Sequence, residues 1–250
     1  MSSKKSDQKF EELAEELKND SNVLAFWLGG SRGKGFATQN SDYDLVMIVK
    51  PEVKSKYEKK YLKNFKDPNF DFFIRTFEEL KKHALWGSGT FWDRYNYVYV
   101  KVLFDRTVKI QKIIDNKAKL SDKEKKQIIN SSLDAFINQV YRSAKCRRDG
   151  NVRASHLEIV QAIPLLLDCV FALESRVKPY YKYLEWDLGK HPLQRLPWKK
   201  EDFLNKILKL LKDGDEKIAL ELLVKTRPIF RKAGYGFIYD GWNGKYKVGE

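Results

Sequence analysis

Residues 27–49 read WLGGSRGKGFATQNSDYDLVMIV, and the parsing of this stretch decides the fold. Val23 to Leu28 is an apolar run of strand length, stopped by Gly29 and Gly30. A polar, glycine-bearing loop follows from Ser31 to Ser41. Tyr43 to Val49 is rich in β-branched and apolar residues and predicts a second strand, closed by Pro51. Asp42 and Asp44 stand two residues apart where that strand begins. Successive side chains of a strand alternate in direction, so both carboxylates share one face while Tyr43 and Leu45 point into the core.

Two carboxylates side by side repel each other unless a cation sits between them. Oxygen donors of this kind suit Mg²⁺, which completes its shell with waters and substrate phosphates. Twelve residues earlier, Gly30 allows a close backbone approach to a phosphate and Ser31 adds a hydroxyl donor. Arg32 and Lys34 place positive charge in the same loop. A phosphate cradle facing a metal-binding carboxylate pair is equipment for phosphoryl or nucleotidyl transfer. The stretch is not a P-loop, because Gly33–Lys34 is followed by Gly35 rather than Ser or Thr, and the G-x-G-x-x-G spacing of dinucleotide folds is absent.

Outward from this stretch, Phe10 to Lys18 has the apolar spacing of an amphipathic helix, preceded by a start, Met1 to Gln8, of disorder-like composition. Lys54 to Phe65 predicts a helix, Phe70 to Thr76 a third strand, Phe77 to His83 the start of a helix, and Tyr97 to Phe104 a fourth strand. Helical spacing resumes at Val108. After residue 120 strand-like runs vanish. Helical patterns cover Lys125 to Lys145, Ala154 to Ser175, Glu201 to Leu211 and Glu216 to Arg231, and the aromatic, glycine-rich stretch Gly234 to Tyr246 is expected to pack back on the body. The chain therefore divides into an α/β half, residues 1–120, and an all-helical half, residues 121–250.

The 250 residues are 42% apolar, enough for one or two cores, and carry a formal charge of +14. Residues 1–120 hold 23 basic and 17 acidic groups and residues 121–250 hold 25 and 17, so there is no basic tail. The surplus favours polyanionic partners such as nucleotides or RNA, and equally suits solvated helix faces. Cys146 and Cys169 are too few for a disulfide framework or a zinc site, and His83, His156 and His191 follow no metal-binding spacing. With no apolar leader, and with Glu158, Gln161, Pro164 and Asp168 interrupting the longest apolar run, a soluble cytoplasmic protein with no membrane partner is expected.

The run GGSRGKGFATQNSDYDLVMIV resembles the signature of the nucleotidyltransferase superfamily related to DNA polymerase beta: Gly-Ser, a loop of roughly ten residues, then Asp-x-Asp between apolar flanks, with a third acid on a neighbouring strand. Gly30, Ser31, Asp42 and Asp44 match it, and Asp71 in NFDFFIRT matches the third acid. The resemblance implies an α+β fold, a small mixed or antiparallel sheet with flanking helices followed by a helical bundle. It also implies catalysis with two Mg²⁺ ions, Asp42 and Asp44 holding both and Asp71 joining one, and ATP or another NTP as substrate. The segment YVYVKVLFDRTVKIQKII, followed by a helical half, is similar to the antibiotic-type enzymes, the kanamycin, lincosamide and streptomycin adenylyltransferases. That likeness covers about residues 23–110; beyond residue 120 it is one of helical character alone.

In the helical half, Arg142, Lys145, Arg147, Arg148 and Arg153 form a basic cluster opposed by Asp149. Lys145 and Arg148 are the candidates for gripping a triphosphate, with the alternative of a solvated helix end favoured by the helix dipole. Glu158 is a candidate base for an acceptor hydroxyl, with His156 and Asp149 as outsiders. The aromatics between Trp86 and Tyr99 suit either base stacking or a core. The expected activity is transfer of a nucleoside monophosphate to an acceptor hydroxyl, on an antibiotic-like small molecule, on RNA such as a tRNA, or on a protein. The rival from another class is a non-catalytic nucleotide-binding module of the toxin–antitoxin kind.

Overall fold

The computed structural model describes residues 2–242, and the chain divides into two compact units, 1–119 and 120–250. The first is built on a four-stranded sheet of order β3-β2-β1-β4. Strands β1 (Val23–Leu28) and β2 (Tyr43–Val49) pair antiparallel, β4 (Val102–Asp105) pairs antiparallel with the other side of β1, and β3 (Phe70–Arg75) runs parallel to β2 at the edge.

Both faces of the sheet are covered. Tyr43, Leu45 and Met47 of β2 and Phe70, Phe72 and Ile74 of β3 face helix α1 (Ser2–Asn19) through Leu13 and Leu17. Tyr57 and Tyr61 complete this layer; they sit on a helix that opens as α3 (Lys54–Tyr57) and widens to π geometry over Glu58–Asn64. On the other face Ala25, Trp27, Val46 and Ile48 meet Leu80 of helix α4 (Phe77–Lys82) and Ile110 and Ile114 of helix α5 (Ile110–Lys117). A strand buried on both faces reads as a near-continuous apolar run, which is why LVMIV carries no alternation. A capping box, Thr76 with Glu79, starts α4.

Two expectations change here. Of the stretch Met1 to Gln8, residues 2–8 are helical, Asp7 accepts a hydrogen bond from the Tyr43 hydroxyl, and next to it Lys9 pairs with Asp67 at 2.7 Å. Polar composition misleads where polar side chains find partners on the sheet unit. The fourth strand is shorter than Tyr97 to Phe104. Phe91–Tyr97 coils as a 3₁₀ helix, Tyr99 sits at φ 64, and the strand occupies Val102–Asp105 alone. The carbonyls of Tyr95 and Val98 are taken by the Lys34 ammonium, and Gln111 Oε1 accepts from Val102 N–H at 2.7 Å, so this segment finds its partners outside a ladder.

The second unit is helical throughout its described residues. Helix α6 (Asp122–Arg148), opened by a Ser121–Glu124 capping box, turns back through a short loop into α7 (Val152–Leu173), which Asn151 caps. The hydroxyl of Ser143 on α6 donates to the Ser155 carbonyl at 2.8 Å where the two helices meet. Helix α7 is long and apolar enough to cross a membrane by length and composition, yet more than half of that stretch is buried, as expected of a core helix. Helices α8 (Tyr181–Lys190), α9 (Lys200–Asp213), α10 (Glu216–Phe230) and α11 (Gly236–Asp240) complete it. Of the tail expected to pack back, Trp242 does so: its indole N–H donates to Asp134 at 2.8 Å and its ring lies 5.7 Å from that of Tyr141. Residues 243–246 of that stretch lie outside the described residues.

Candidate active site

The ladder between β2 and β3 positions the acids. Because these strands are parallel and in register, Asp44 stands directly opposite Asp71. Both lie on the face away from Phe70 and Phe72, and Asp42 joins them from the residue before β2, on the same face by strand alternation. One oxygen from each of Asp42, Asp44 and Asp71 falls within 4.8 Å of the other two. The donor set is all carboxylate oxygen, with no thiolate or imidazole, and so fits a hard divalent cation. Asp42 and Asp44 are half-buried and Asp71 is exposed, which keeps the group open to an incoming ligand.

The turn after β1 is built tightly against these acids. Gly29 N–H donates to the Asp44 carbonyl at 2.7 Å, and the single-turn helix α2 (Gly30–Gly33) begins beside it. Gly30 has φ +51, and a Cβ there would lie 1.7 Å from Asp44 Oδ2. Only glycine lets the Asp44 carboxylate stand against the start of α2. A Cβ on Gly33 would meet the Leu28 carbonyl at 2.0 Å, so this glycine is needed for close packing of α2 on β1.

The remaining loop candidates serve the loop itself. Ser31 is buried, and its hydroxyl donates to Ser41 Oγ at 2.9 Å; Ser41 Oγ also accepts from Thr38 N–H. Arg32 donates through Nη2 to the Ser41 carbonyl at 2.9 Å and through Nε to the Asp42 carbonyl at 3.1 Å, stacks 3.9 Å over the Tyr43 ring, and lies 3.5 Å from Asp7. It therefore holds the backbone that presents Asp42. Lys34 departs furthest from expectation. It is buried, and its ammonium donates to the carbonyls of Val98 at 2.7 Å and Tyr95 at 2.9 Å. Rather than an exposed loop cation near phosphates, it ties the loop to the 91–98 segment, because a buried ammonium must bond to acceptors.

A pocket opens beside the acids, lined by Gly29, Gly30, Asp44, Phe73, Arg75 and Asn96 among others. Arg75, Asp93 and Asn96 are not among the residues the sequence points to; Tyr97 is, as one of the aromatics between Trp86 and Tyr99. Arg75 was within reach, since alternation from Asp71 carries 73 and 75 to the same face. Asp93, Asn96 and Tyr97 sit on the 3₁₀ segment, which no periodicity ties to β2. Behind the pocket, His83 Nδ1 lies 2.7 Å from the Tyr97 hydroxyl and His83 Nε2 lies 3.2 Å from Asp93. Burial pushes the Tyr97 phenol up to about 12, so it remains a protonated member of this network at neutral pH. Of the aromatics in this region, Tyr95 and Tyr97 are buried, Trp86 and Phe91 meet edge to face at 4.7 Å, and Trp92 is exposed.

The helical-unit candidates have these surroundings. Glu158 is ion-paired with Arg142 at 2.6 Å. Arg148 is exposed and pairs with Asp149 at 2.9 Å, Lys145 lies 5.5 Å from the Tyr141 ring centre, and Arg147 donates to the Gly214 carbonyl at 3.0 Å and faces Glu216. His156 Nε2 lies 3.0 Å from the Leu211 carbonyl.

No match was found among curated proteins. A nucleotidyltransferase-like protein from Exiguobacterium sibiricum 255-15 is similar in structure, with a TM-score of 0.48 and 11% identity, over 96% of this chain and 80% of that one. The family model described as a nucleotidyltransferase domain matches residues 10–137, more than half of the chain, which takes in the second half of α1, the whole sheet and the three acids. The chain belongs to the nucleotidyltransferase domain family.

Proposed function

We propose that this protein transfers a nucleoside monophosphate from a Mg²⁺–NTP, ATP first among them, to an acceptor hydroxyl, releasing pyrophosphate. The observation that carries the reading is the convergence of Asp42, Asp44 and Asp71. Three carboxylates within a few ångströms repel one another, and a fold that keeps them together at the end of a buried strand is matched to a cation that neutralises them. Bound there, Mg²⁺ would supply charge neutralisation for the phosphates and a lowered pKa for the attacking hydroxyl.

The chain's own part is positioning. Asp44 is fixed by the Gly29 amide on its carbonyl and by the space Gly30 leaves, and Asp42 by Arg32 on its carbonyl. The backbone of Gly30 and Ser31 forms the floor for the terminal phosphates, with the Ser31 hydroxyl turning from Ser41 to a phosphate oxygen. Lys145 and Arg148 are assigned to the triphosphate and Glu158 to the acceptor proton. For Glu158 this means exchanging its Arg142 partner for substrate. The enzyme is read as soluble and cytoplasmic, with α7 as a core helix.

The test is incubation of purified protein with each α-labelled NTP and Mg²⁺ against panels of tRNA, proteins and antibiotic-like polyols. Acceptor labelling with stoichiometric pyrophosphate, absent in Asp44→Asn, is the expected result. The net charge of +14 makes RNA the acceptor to try first among the macromolecules. Wild-type protein that transfers nothing while binding Mg²⁺–NTP would return the chain to the non-catalytic reading.

A further inference from the structure

The loop cations on which the phosphates were expected to rest are committed to carbonyls, Arg32 to those of Ser41 and Asp42 and Lys34 to those of Tyr95 and Val98. The pocket beside Asp44 nevertheless needs positive charge. A triphosphate carries about four negative charges, the three acids add three and Asp93 lines the same pocket, more than two divalent cations cancel. Among the described residues lining that pocket, the one cation is Arg75.

We infer that Arg75 is a phosphate-binding residue of the NTP site. This rests on the proposed function and extends it to a residue that the Gly-Ser and Asp-x-Asp motifs do not include. Three observations place it. Arg75 shares the outward face of β3 with Asp71, and Phe73 lies between them with its ring centre 6.0 Å from the guanidinium. Its side chain is mostly buried, and one edge of the fork is held from behind, with Nη2 3.0 Å from His83 Nε2 and 3.7 Å from Asp93. Asp93 is itself bonded by Asn96, and His83 by Tyr97. A guanidinium has five N–H donors in a planar fork, so a fork anchored on one edge still offers donors to a phosphate oxygen without reorganising. Asp93 and His83 are then positioning residues that fix the fork.

The test measures Mg²⁺–ATP and pyrophosphate binding by calorimetry on the full chain, with steady-state kinetics once an acceptor is known. Arg75→Gln is expected to weaken both ligands about ten- to a hundredfold, the range for a hydrogen bond between charged groups. It should raise KM for the NTP more than it lowers kcat. Arg75→Lys, which keeps the charge and loses the fork, should recover part of the affinity, and Asp93→Asn should give a smaller loss in the same direction. Melting temperatures guard against a merely structural effect: Arg75→Lys melting as wild type yet binding more weakly supports the assignment. Wild-type binding of Mg²⁺–ATP and pyrophosphate with unchanged affinities in both Arg75 variants overturns it and leaves the proposed function standing. Wild-type protein that binds neither ligand overturns both.

Discussion

Two groups of cations look alike in the sequence and differ in the structure. Arg32 and Lys34, in the turn after β1, bond mainly to backbone carbonyls, Lys34 while fully buried. Arg142, Arg147 and Arg148, in the last turns of α6, sit against the carboxylates of Glu158, Glu216 and Asp149. A carbonyl satisfies the hydrogen-bonding need of a cation without touching its charge, whereas a carboxylate also offsets part of that charge. The first group is thus held mainly by backbone, with Asp7 3.5 Å from Arg32 as a carboxylate neighbour, while these three arginines of the second each stand against a carboxylate. The distinction separates cations that build the loop presenting the acids from cations paired with carboxylates at the end of a helix, and each experiment below breaks or sharpens it.

The largest effect is expected at the acids that the first group serves. Asp42→Asn and Asp44→Asn should each abolish transfer while leaving the melting temperature at or above that of wild type, because removing one charge relieves repulsion within the triad. Adding Mg²⁺ should raise the melting temperature of wild type and not of either variant, since a cation that binds only the folded state stabilises it. Gly30→Ala should behave like Asp44→Asn in activity but not in stability: its Cβ would occupy the place of the Asp44 carboxylate. Near-wild-type turnover in either aspartate variant removes the metal assignment.

Next is Lys34→Met. The substitution strips two buried carbonyls of their donor, each worth about 1–3 kcal/mol when left unsatisfied. A fall in melting temperature on the order of 10 °C is expected by thermal denaturation. An unchanged melting temperature, with weakened NTP binding instead, would show that the ammonium faces substrate after all.

What the sequence discloses of this molecule follows the range of each interaction. Tyr43 to Val49 is a strand to the residue, and the common face of Asp42 and Asp44 is read from alternation alone, because both depend on neighbours in the chain. The pairing of Asp44 with Asp71 depends on the register of two parallel strands 27 positions apart, which no local pattern encodes; resemblance supplied Asp71, and the ladder supplies its reason. The fates of Arg32 and Lys34 escaped because a carbonyl partner leaves no trace in side-chain identity. Arg75 was overlooked for a different reason: its position is legible, but its importance appears only once Asp93, His83 and the pocket are assembled. Helix α8, Tyr181–Lys190, likewise falls outside the stretches of helical spacing read from the sequence.

Ser31→Ala should have a smaller effect than these. Its hydroxyl contributes one hydrogen bond, to Ser41 within the loop and, on the proposed reading, to a phosphate in the complex. An increase in KM for NTP of about tenfold or somewhat more is expected, with kcat largely retained. An unaltered KM would limit the phosphate floor to backbone groups.

The smallest effect on stability, and the sharpest test of the comparison, belongs to the second group. Lys145 and Arg148 were expected to grip a triphosphate, and Arg148 is exposed with Asp149 as its ion-pair partner. Asp149 holds the Arg148 guanidinium above its ordinary value, and the same pair keeps the Asp149 carboxyl below its own. Exposed pairs of this kind contribute little to folding, because water screens both charges and two long side chains must be ordered. The double variant Lys145→Glu, Arg148→Glu should therefore melt within error of wild type. Its effect on KM decides what the cluster is. A KM for NTP raised severalfold or more, and falling back toward the wild-type value as salt is added to both proteins, would mean that the exposed cations reach substrate through long-range attraction. An unchanged KM at low salt would make the end of α6 an ordinary solvated face, and leave Arg75 as the proposed cationic contact to phosphate.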